Sequence, residues 1–573
     1  MKSIRFLSGL AMLPALLMSP LGTSATAAEL GVSSAEASLS QPLWAMAVQP
    51  DVLRAANNEA APREARPAIK VTPAMRGEGA APAAARSQAF AALAAPLALA
   101  SGSLAQPVFT NNLLNFEGAP AVNTAPSDVN GAVGATQYVQ WVNSSTVGLT
   151  IFDKTTGAVQ LGPVSGDVPW SGFVGSAGAD ACRTSGQGDI LAQYDKLAGR
   201  WVLSQFAWLA ANENTGPYYQ CVAVSTTNDA TGTFNRYAFE SKNAAGAAVF
   251  NDYGKIGVWP DAYYITFVLF TPLATGNYLG PQVCGYDRVA MLAGSTAVAK
   301  CKEFGTTFGP LLPSDVDGTT APPAGSPNYL MGFDFNGSGN GSVLQLWKYS
   351  FTSNTLSART DITVAPFTIA CPSSFGGACV HQPGTANRLD ALADRPMYRL
   401  PYRNYGSREV LALTHSVQQA GAARNGPLAM RWYELRNPNG AISVYQQGTY
   451  APDTDSRWMG SIAMDRMGNM ALGYSTSSDS VFPSVRYTGR LRSEPSGFME
   501  AEASIIAGGG FQNANLNRWG DYSAMSIDPT DDCTFWYTQQ YMQTTGNFNW
   551  KTRIASFKFK NCNALLAAAP TAR

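Results

Sequence analysis

The chain has 573 residues and carries 39 basic and 39 acidic side chains, so its formal net charge is zero. With this balance nothing in the sequence predicts nucleic-acid binding, and we expect no nucleic-acid partner. A low charge together with many Asn, Gln, Ser, Thr, Tyr and Trp residues is typical of an extracellular β-protein.

The first residues predict export. Lys2 and Arg5 precede an apolar run over 6–21, and small residues at 25–27 offer a cleavage site, so 1–27 is a predicted secretory signal peptide. No later segment has the roughly 18–20 uninterrupted apolar residues of a membrane-spanning helix. We expect a secreted protein, periplasmic or extracellular, without a membrane span.

Residues 28–106 are rich in Ala, Pro, Ser and Arg and poor in aromatic residues. Such a segment buries too little apolar surface to fold alone. It is interpreted as a linker, with a pro-segment as the alternative. A folded domain is predicted over 107–562, followed by a C-terminal tail over 563–573.

A phrase occurs twice near the C-terminus, at 457–465 and at 518–528. Both copies run from Arg-Trp through a Gly into an Ala-Met strand, and end at an Asp that begins a turn. Related strand–turn–strand patterns occur upstream, spaced 63 to 73 residues apart. Their marker residues are Asp128, Asp195, Asp261, Asp334, Tyr402, Asp465 and Asp528.

Each repeat is long enough for four short strands and their loops. Four-stranded units repeated radially form a β-propeller, so we predict an all-β, seven-bladed β-propeller over 107–562. A long β-sandwich, or two sandwiches, is the alternative, and the even spacing argues against it.

Eight cysteines in an exported chain predict disulfide bonds. Sequence does not fix their connectivity. The simplest pairing is sequential, namely 182–221, 284–301, 371–379 and 533–562.

The entries of the innermost strands are expected to converge at one mouth of the central channel. Arg395, Arg457 and Arg518 lie at such entries, and Trp458 and Trp519 accompany two of them. Guanidinium groups bind carboxylates through paired hydrogen bonds, so these residues predict a binding site for an acidic sugar. Alternatively, the arginines stack on the tryptophans or pair with acids of neighbouring blades.

Two kinds of catalysis are compatible with the remaining residues. In a polysaccharide lyase, His415 would act as the base, and Tyr253, Tyr402 or Tyr522 as the acid. The alternative for His415 is a hydrogen bond that caps a loop.

In a glycoside hydrolase, Asp189 and Asp521 would form the carboxyl pair, with Asp252 as a third candidate. Alternatively, these aspartates bind backbone amides between blades. The sequence contains neither the G-x-S-x-G motif of serine hydrolases nor the H-E-x-x-H motif of zinc proteases.

A possible Ca²⁺ loop contains Asp334, Asn336 and Ser338, whose oxygens alternate along the chain. Gln345 stands where a bidentate Glu is expected, and a tight turn between strands is the alternative. No cofactor is required by any of these interpretations.

The segments 465–475 and 518–523 resemble secreted bacterial sialidase-like propellers. The Ser-x-Asp-x-Gly-x-x-Trp box of true sialidases is represented only by a relative of it at 465–469. The resemblance implies an arginine cluster and a carbohydrate ligand. We therefore expect a monomeric, secreted propeller that acts on an acidic extracellular polysaccharide as a lyase or hydrolase. The alternative is a non-enzymatic adhesion, binding or scaffold module.

Overall fold

The computed structural model describes residues 31–47, 63–64, 113–121, 123–144, 146–513 and 516–562. The predicted signal peptide, most of the predicted linker and the predicted tail over 563–573 lie outside these residues. In the described part of the chain, no helix is long and apolar enough to cross a membrane.

Helices in the described residues are short. They are α1 (Leu43–Met46), α2 (Ala177–Thr184) and α3 (Arg288–Ala293), with 3₁₀ turns at Val168–Trp170, Ala210–Asn212 and Pro372–Ser374. Side-chain caps define two of the helices. Ser176 accepts a hydrogen bond from the N–H of Ala179, and Asp287 accepts one from the N–H of Ala290. The chain is thus all-β, as predicted.

The strands form antiparallel meanders that follow one another along the chain. The first comprises β6 (Asn130–Val133), β7 (Gln137–Trp141), β8 (Leu149–Asp153) and β9 (Val159–Val164). The second comprises β10 (Gly186–Asp195), β11 (Arg200–Ala207), β12 (Tyr219–Ser225) and β13 (Phe234–Glu240). The third comprises β14 (Phe250–Val258), β15 (Ala262–Phe270), β16 (Tyr278–Asp287) and β17 (Ala297–Glu303).

A larger sheet joins the next two meanders through parallel pairing of their first strands. One half comprises β18 (Leu312–Asp317), β19 (Asn328–Asp334), β20 (Asn340–Ser350), β21 (Thr355–Leu356) and β22 (Thr360–Thr368). The other half comprises β25 (Leu400–Asn404), β26 (Glu409–Gln418), β27 (Leu428–Arg436) and β28 (Ser443–Tyr450). A short ribbon of β23 (Ala378–Val380) and β24 (Leu389–Asp390) lies between the halves in sequence.

Two further meanders complete the chain. One comprises β29 (Ser456–Met464), β30 (Met470–Ser477), β31 (Ser484–Arg490) and β32 (Ala503–Ile506). The other comprises β33 (Ala524–Ile527), β34 (Phe535–Tyr541) and β35 (Lys551–Phe557), and its fourth strand is β4 (Leu114–Glu117) from the start of the domain.

The first strands of the meanders contact one another in a closed cycle. Its order is β6, β10, β14, β18, β25, β29, β33 and again β6. A cyclic order of innermost strands is the geometry of a β-propeller, and the sandwich alternative does not apply. The core lies between neighbouring sheets, where rings such as those of Tyr487 and Phe557 stack with centroids 3.7 Å apart.

The linker prediction is wrong for residues 31–47. Strand β1 (Val32–Ala35) pairs with the outer strand β17, and β2 (Ser38–Leu39) pairs with the outer strand β13. Helix α1 buries Leu43 and Met46 in the cluster that contains Trp170. An outer strand offers unpaired backbone groups, so even an Ala- and Ser-rich segment is stabilised by adding to its edge. A further short pairing joins β3 (Arg63–Glu64) to β5 (Thr124–Ala125).

Two of the repeat markers are out of phase with the sheets. Three markers lie at the end of a first strand, as predicted: Asp195 ends β10, and Asp465 and Asp528 directly follow β29 and β33. Asp128 instead precedes β6, and Asp334 ends β19, the second strand of its meander. The same strand–turn–strand pattern occurs at every hairpin of an antiparallel sheet, so the pattern alone does not identify which hairpin it marks.

The eight cysteines form the sequential disulfides that the simplest pairing predicted. They join Cys182 to Cys221, Cys284 to Cys301, Cys371 to Cys379, and Cys533 to Cys562. The last of them ties the chain after β35 to the hairpin that precedes β34. Disulfides of this number fit a protein that folds in an oxidising compartment.

Candidate functional site

The first strands of several sheets are irregular near their beginnings. The register shifts between Gly188 and Leu191 in β10, between Asp252 and Lys255 in β14, and between Trp458 and Ser461 in β29. Each shift contains a non-glycine residue with positive φ: Asp189 at 48°, Tyr253 at 55° and Met459 at 54°. Bulges of this kind redirect side chains and often lie beside functional sites.

Two further strand entries have the same backbone feature. Asp128 precedes β6 with φ of 44°, and Asp521 precedes β33 with φ of 61°. Left-handed backbone is costly for a residue with a side chain, so its recurrence at equivalent entries marks a common structural position. The positions bring charged side chains from different sheets together.

We call the resulting group the central cluster. It comprises Asp128, Asp189, Asp252, Tyr253, Lys255, Arg395, Arg518, Asp521 and Tyr522. Its carboxyls interact electrostatically across the sheets, as Asp252 does with Asp189 and Asp521. Two hydrogen bonds also cross it: the Gly254 N–H donates to Asp189 at 3.3 Å, and the Tyr253 hydroxyl donates to the Asp521 carbonyl at 3.2 Å.

Lys255 is a buried cation at the middle of this cluster. Its Nζ lies 3.5 Å from the ring centroid of Tyr253 and 3.7 Å from that of Tyr522, and it donates to the Gly254 carbonyl at 2.8 Å. Burial lowers the pKa of Lys255 to about 8, although Asp189 and Asp128 oppose the shift. Sequence reasoning missed this residue. The available signal was a single lysine within the otherwise uncharged and buried strand 253–258.

The two arginines of the cluster are each bound to an aspartate. Arg395 lies 4.2 Å from the ring centroid of Tyr253, and its Nε donates to Asp394 Oδ1 at 2.8 Å. Arg518 donates through Nη2 to Asp521 Oδ2. Both guanidinium groups are buried. Arg395 holds Asp394 through paired hydrogen bonds, which is the geometry that the sequence suggested for an acidic sugar, whereas a single hydrogen bond joins Arg518 to Asp521.

The carboxyls differ in exposure and in proton affinity. Asp189 and Asp252 are partly exposed, whereas Asp128 and Asp521 are buried. Burial and then the charge of Asp189 raise the pKa of Asp252 to about 7, against the opposing effect of Arg395 and Arg518. Burial also raises the pKa of Asp189, and Lys255 opposes that shift. The accessible part of the cluster thus contains two carboxyls that interact and titrate together.

Asp128 also belongs to the cluster, although the sequence suggested only a turn marker. Burial, followed by the charges of Asp521 and Asp189, raises the pKa of Asp128 well above its usual value. Asn143 Nδ2 donates to its Oδ2 at 3.1 Å. Its position could be recognised only once the first strand was known to begin after it.

The predicted convergence of three arginines is wrong, because Arg457 lies in a separate group. Its Nε donates to Glu502 Oε2 at 2.8 Å, and its Nη1 donates to Asp453 Oδ1 at 2.7 Å. Arg457 stands eight residues before Asp465, whereas Arg518 stands ten residues before Asp528. The two copies of the phrase therefore present their arginines from different backbone positions.

Trp458 and Trp519 are fully buried, with ring centroids 5.9 Å apart. Trp519 Nε1 donates to Ser475 Oγ at 3.0 Å. Their rings pack inside the protein and offer no exposed face for a sugar, in contrast to the predicted substrate contact.

His415 lies in β26 and away from the central cluster. Its Nε2 is 3.0 Å from the Tyr433 hydroxyl, and its ring centroid is 4.5 Å from that of Phe333 and 4.7 Å from that of Phe367. Burial, with a smaller effect of Arg431, lowers the pKa of His415 to about 3. The imidazole is therefore neutral and enclosed. Tyr402 is also elsewhere and donates to Glu409, so of the predicted acids only Tyr253 and Tyr522 join the cluster.

The candidate Ca²⁺ loop is a hairpin turn between β19 and β20. Asn336 Oδ1 accepts the backbone N–H groups of Ser338 and Asn340, at 2.9 and 3.1 Å. These contacts agree with the turn interpretation of Asp334, Asn336 and Ser338, and a bound Ca²⁺ stays a prediction. Among the described residues, no group of three or more His, Cys, Asp or Glu side chains is arranged to hold a metal ion.

No protein-family model and no curated protein matches the chain. Similar solved structures include an endo-arabinase from Bacteroides thetaiotaomicron, with 10% identity, a TM-score of 0.27, and coverage of 67% of this chain and 100% of that one. The hemagglutinin-neuraminidase of parainfluenza virus 5 has 10% identity and a TM-score of 0.32, with 70% and 94% covered.

A Trypanosoma rangeli sialidase in complex with sialic acid has 10% identity and a TM-score of 0.29, with 65% and 54% covered. Sialidases are thus among the similar structures, in agreement with the resemblance seen in the sequence. All three TM-scores are below 0.5, so the likeness carries no argument about function. The function is argued from the geometry of the central cluster.

Proposed function

We propose that the chain is a secreted seven-bladed β-propeller that hydrolyses a glycan at the central cluster. Each first strand of the closed cycle would begin one blade. The observation that carries the function is the convergence of partly exposed Asp189 and Asp252 with buried Asp128 and Asp521, in an environment that raises their pKa values. Carboxyls with perturbed pKa values that come together from several strands are candidates for a catalytic site.

The roles follow from the difference between the two accessible carboxyls. With a pKa of about 7, Asp252 is protonated in about half of the molecules at neutral pH, which suits it to protonate the leaving oxygen. Asp189 accepts a backbone N–H and lies near Lys255, both of which favour its ionised form. It would serve as the base or nucleophile of a two-carboxyl mechanism.

Lys255 and the tyrosines would position these groups. Lys255 interacts with Asp189, Asp128 and Asp521 and stands between the rings of Tyr253 and Tyr522. Its charge would hold Asp189 ionised while Asp252 stays protonated. Tyr253 and Tyr522 thus pack against the cation and are not needed as proton donors.

We propose a neutral glycan as the substrate, in place of the acidic polysaccharide expected from the sequence. Both arginines of the cluster already bind aspartates, and acidic groups outnumber basic ones around it. An added carboxylate would meet Asp189, whose negative charge repels it, and would raise the pKa of Asp252 further. Neutral sugars avoid this repulsion, and their hydroxyl groups can donate hydrogen bonds to the carboxylates.

Hydrolysis is favoured over lyase chemistry by the position of His415. A lyase needs a base beside an acidified sugar proton, and the enclosed imidazole of His415 lies among Phe333, Phe367 and Tyr433. The carboxyls of the central cluster supply the groups that hydrolysis needs.

A non-enzymatic binding or scaffold module is the alternative. It is favoured by the bonds of Arg395 to Asp394 and of Arg518 to Asp521, because arginines that already pair with acids of their own segments are not free to bind a substrate. In that case the raised pKa values would reflect burial without catalysis.

Incubation with neutral and uronate-containing polysaccharides tests the proposal. We expect new reducing ends from a neutral glycan, without the ultraviolet absorbance of an unsaturated product. Absorbance from a uronate polymer would contradict hydrolysis. Retained glycan binding without any cleavage, in both the wild type and Asp252→Asn, would establish the module.

A further inference from the structure

A cavity lies between the sheet of β10–β13 and the sheet of β14–β17, beneath the N-terminal strand β1. It has a volume of about 170 Å³ and is lined by residues of both sheets and by Gly31 to Ser33. A single water needs only about 10–15 Å³ on such a scale, so there is room for a small molecule. Asn251 lines this cavity, while the next residue, Asp252, belongs to the central cluster.

A chain of hydrogen bonds fixes which atom of Asn251 remains available. The Ser204 hydroxyl donates to the Cys221 carbonyl at 2.8 Å and accepts from Gln220 Nε2 at 2.6 Å. Gln220 Oε1 then accepts from Asn251 Nδ2 at 2.8 Å. Asn251 Oδ1 is left as a buried acceptor without a hydrogen-bond partner, in a side chain that is only 1% exposed.

Two more polar groups line the cavity in the same way. Ser241 Oγ is buried and has no hydrogen-bond partner. Gln282 Nε2 donates to the Lys242 carbonyl at 3.1 Å, which turns its Oε1 toward Cys284 Sγ at 3.4 Å. That sulfur is in the disulfide with Cys301 and has no hydrogen to donate. Unsatisfied buried acceptors cost free energy, so each of these atoms favours an occupant that donates hydrogen bonds.

The remaining walls and the rim define the ligand further. Phe239, Phe267 and Tyr286 form apolar walls of the cavity. Their buried rings can pack against the C–H face of a sugar ring. Val32 and Lys242 are exposed at the rim, so the cavity opens to solvent. Lys242 is held by Glu240 at 2.8 Å, which leaves no net charge to attract an ion.

We propose that this cavity is a second binding site, which takes one neutral, hydroxyl-rich unit such as a single sugar residue. Asn251, Ser241 and Gln282 accept its hydroxyl protons, and the aromatic rings contact its apolar face. This inference goes beyond the proposed hydrolysis, because the site would bind even if the central cluster catalysed nothing. Its lining residues come from two neighbouring sheets and from the segment 31–33, and none of them belongs to the central cluster.

The test uses the full chain and the probes xylose, galactose and glycerol. A crystal structure with each probe and titration by ligand-observed NMR are measured together. We expect a probe in the cavity, within hydrogen-bond distance of Asn251 Oδ1. We also expect about tenfold weaker binding in the double variant Ser241→Ala, Gln282→Met, since two hydrogen bonds are lost.

Ser295→Ala, at an exposed position, is the matched control and should bind normally. Asp252→Asn should also bind normally, which separates this site from the proposed hydrolysis. Should the double variant fail to fold, Ser241→Ala alone is used, with a smaller expected loss. Ordered water only, the chain's own residues before Gly31 in the cavity, or unchanged affinity in the variants would each overturn the proposal.

Discussion

The two arginines of the doubled phrase have opposite surroundings. Arg457 is bound to Glu502 and Asp453. Burial alone would raise the pKa of both carboxyls, but the hydrogen bonds and charge of Arg457, together with the charge of Arg486, hold it below the usual value. Arg518 binds Asp521, but burial and the charge of Asp390 keep the pKa of that aspartate raised. The carboxyls of the Arg457 group therefore release their protons more readily than free carboxyls, whereas Asp521 in the central cluster holds its proton more tightly.

This difference shows which structural properties a sequence repeat predicts and which it does not. The repeat predicts where the strand and its entry lie, because hydrophobic spacing and turn residues determine the backbone. It does not predict electrostatics, because two additional residues between Arg518 and its terminal Asp change where the guanidinium group is delivered. Removing a partner from the Arg457 group would leave a buried charge uncompensated, whereas carboxyls with raised pKa values, as in the central cluster, are candidates for proton transfer.

The largest effect that separates the two groups is catalytic. We expect Asp252→Asn and Asp189→Asn each to reduce glycan hydrolysis by about 10²–10⁴-fold, since each removes a proton-transfer group or nucleophile. Reducing ends are the readout. Glu502→Gln, in the Arg457 group, is the control and should keep its rate within about threefold of wild type. An equal loss in Glu502→Gln would remove the distinction between the groups.

The next effect is on stability. Arg457→Met leaves Glu502 and Asp453 without their main partner, and breaking a buried ion pair costs about 3–5 kcal/mol. We expect a loss near the lower end of that range, because the Asp453 side chain is 48% exposed. Denaturant unfolding at neutral pH measures it. Arg486→Met, at the partly exposed edge of the same network, should cost about 1 kcal/mol or less.

The charge of Arg518 should control the pH dependence of activity. Arg395 and Arg518 both lower the pKa of Asp252, so Arg518→Met should raise it further. Because Asp252 must stay protonated, the alkaline limb of the pH–rate profile should move to higher pH. Arg457→Met should leave that limb unchanged. A shift in the Arg457 variant, or none in the Arg518 variant, would contradict the assignment of Asp252 as the acid.

A smaller effect concerns stability against pH. The folded state holds a proton on Asp252 up to a pH of about 7, whereas an unfolded carboxyl releases it near pH 4. In this window the folded state binds more protons, so the contribution of Asp252 to stability falls as pH rises from about 4 to 7. Thermal melts of Asp252→Asn should therefore lose less stability than wild type across that window.

The smallest activity effect is expected at His415. His415→Phe should hydrolyse glycan at the wild-type rate, because the imidazole lies outside the central cluster. Its pKa near 3 means that the unfolded state binds more protons between about pH 3 and 6.5, so His415 reduces stability as pH falls through that range. The variant should resist acid better than wild type. A large loss of rate at neutral pH would restore the lyase hypothesis.

Sequence reasoning identified part of the central cluster for a physical reason. Asp189, Tyr253 and Asp521 lie at strand entries, which the repeat locates. Lys255 was missed because a buried lysine breaks the expected pattern of an apolar strand. His415 was misjudged because it lies in a strand rather than in a loop, and enclosure by rings from two sheets cannot be seen in the local sequence.

Strand β4 has a consequence for how the protein is made. Arg553 in β35 donates through Nε to Asn115 beside it in the same sheet, across 438 residues of sequence. The ring therefore cannot close until the C-terminal strands have emerged, and such high contact order slows folding. Strand β4 is synthesised near the start of the domain but has no partner until β35 is made. A chain that crosses a membrane before folding would therefore not close the ring early.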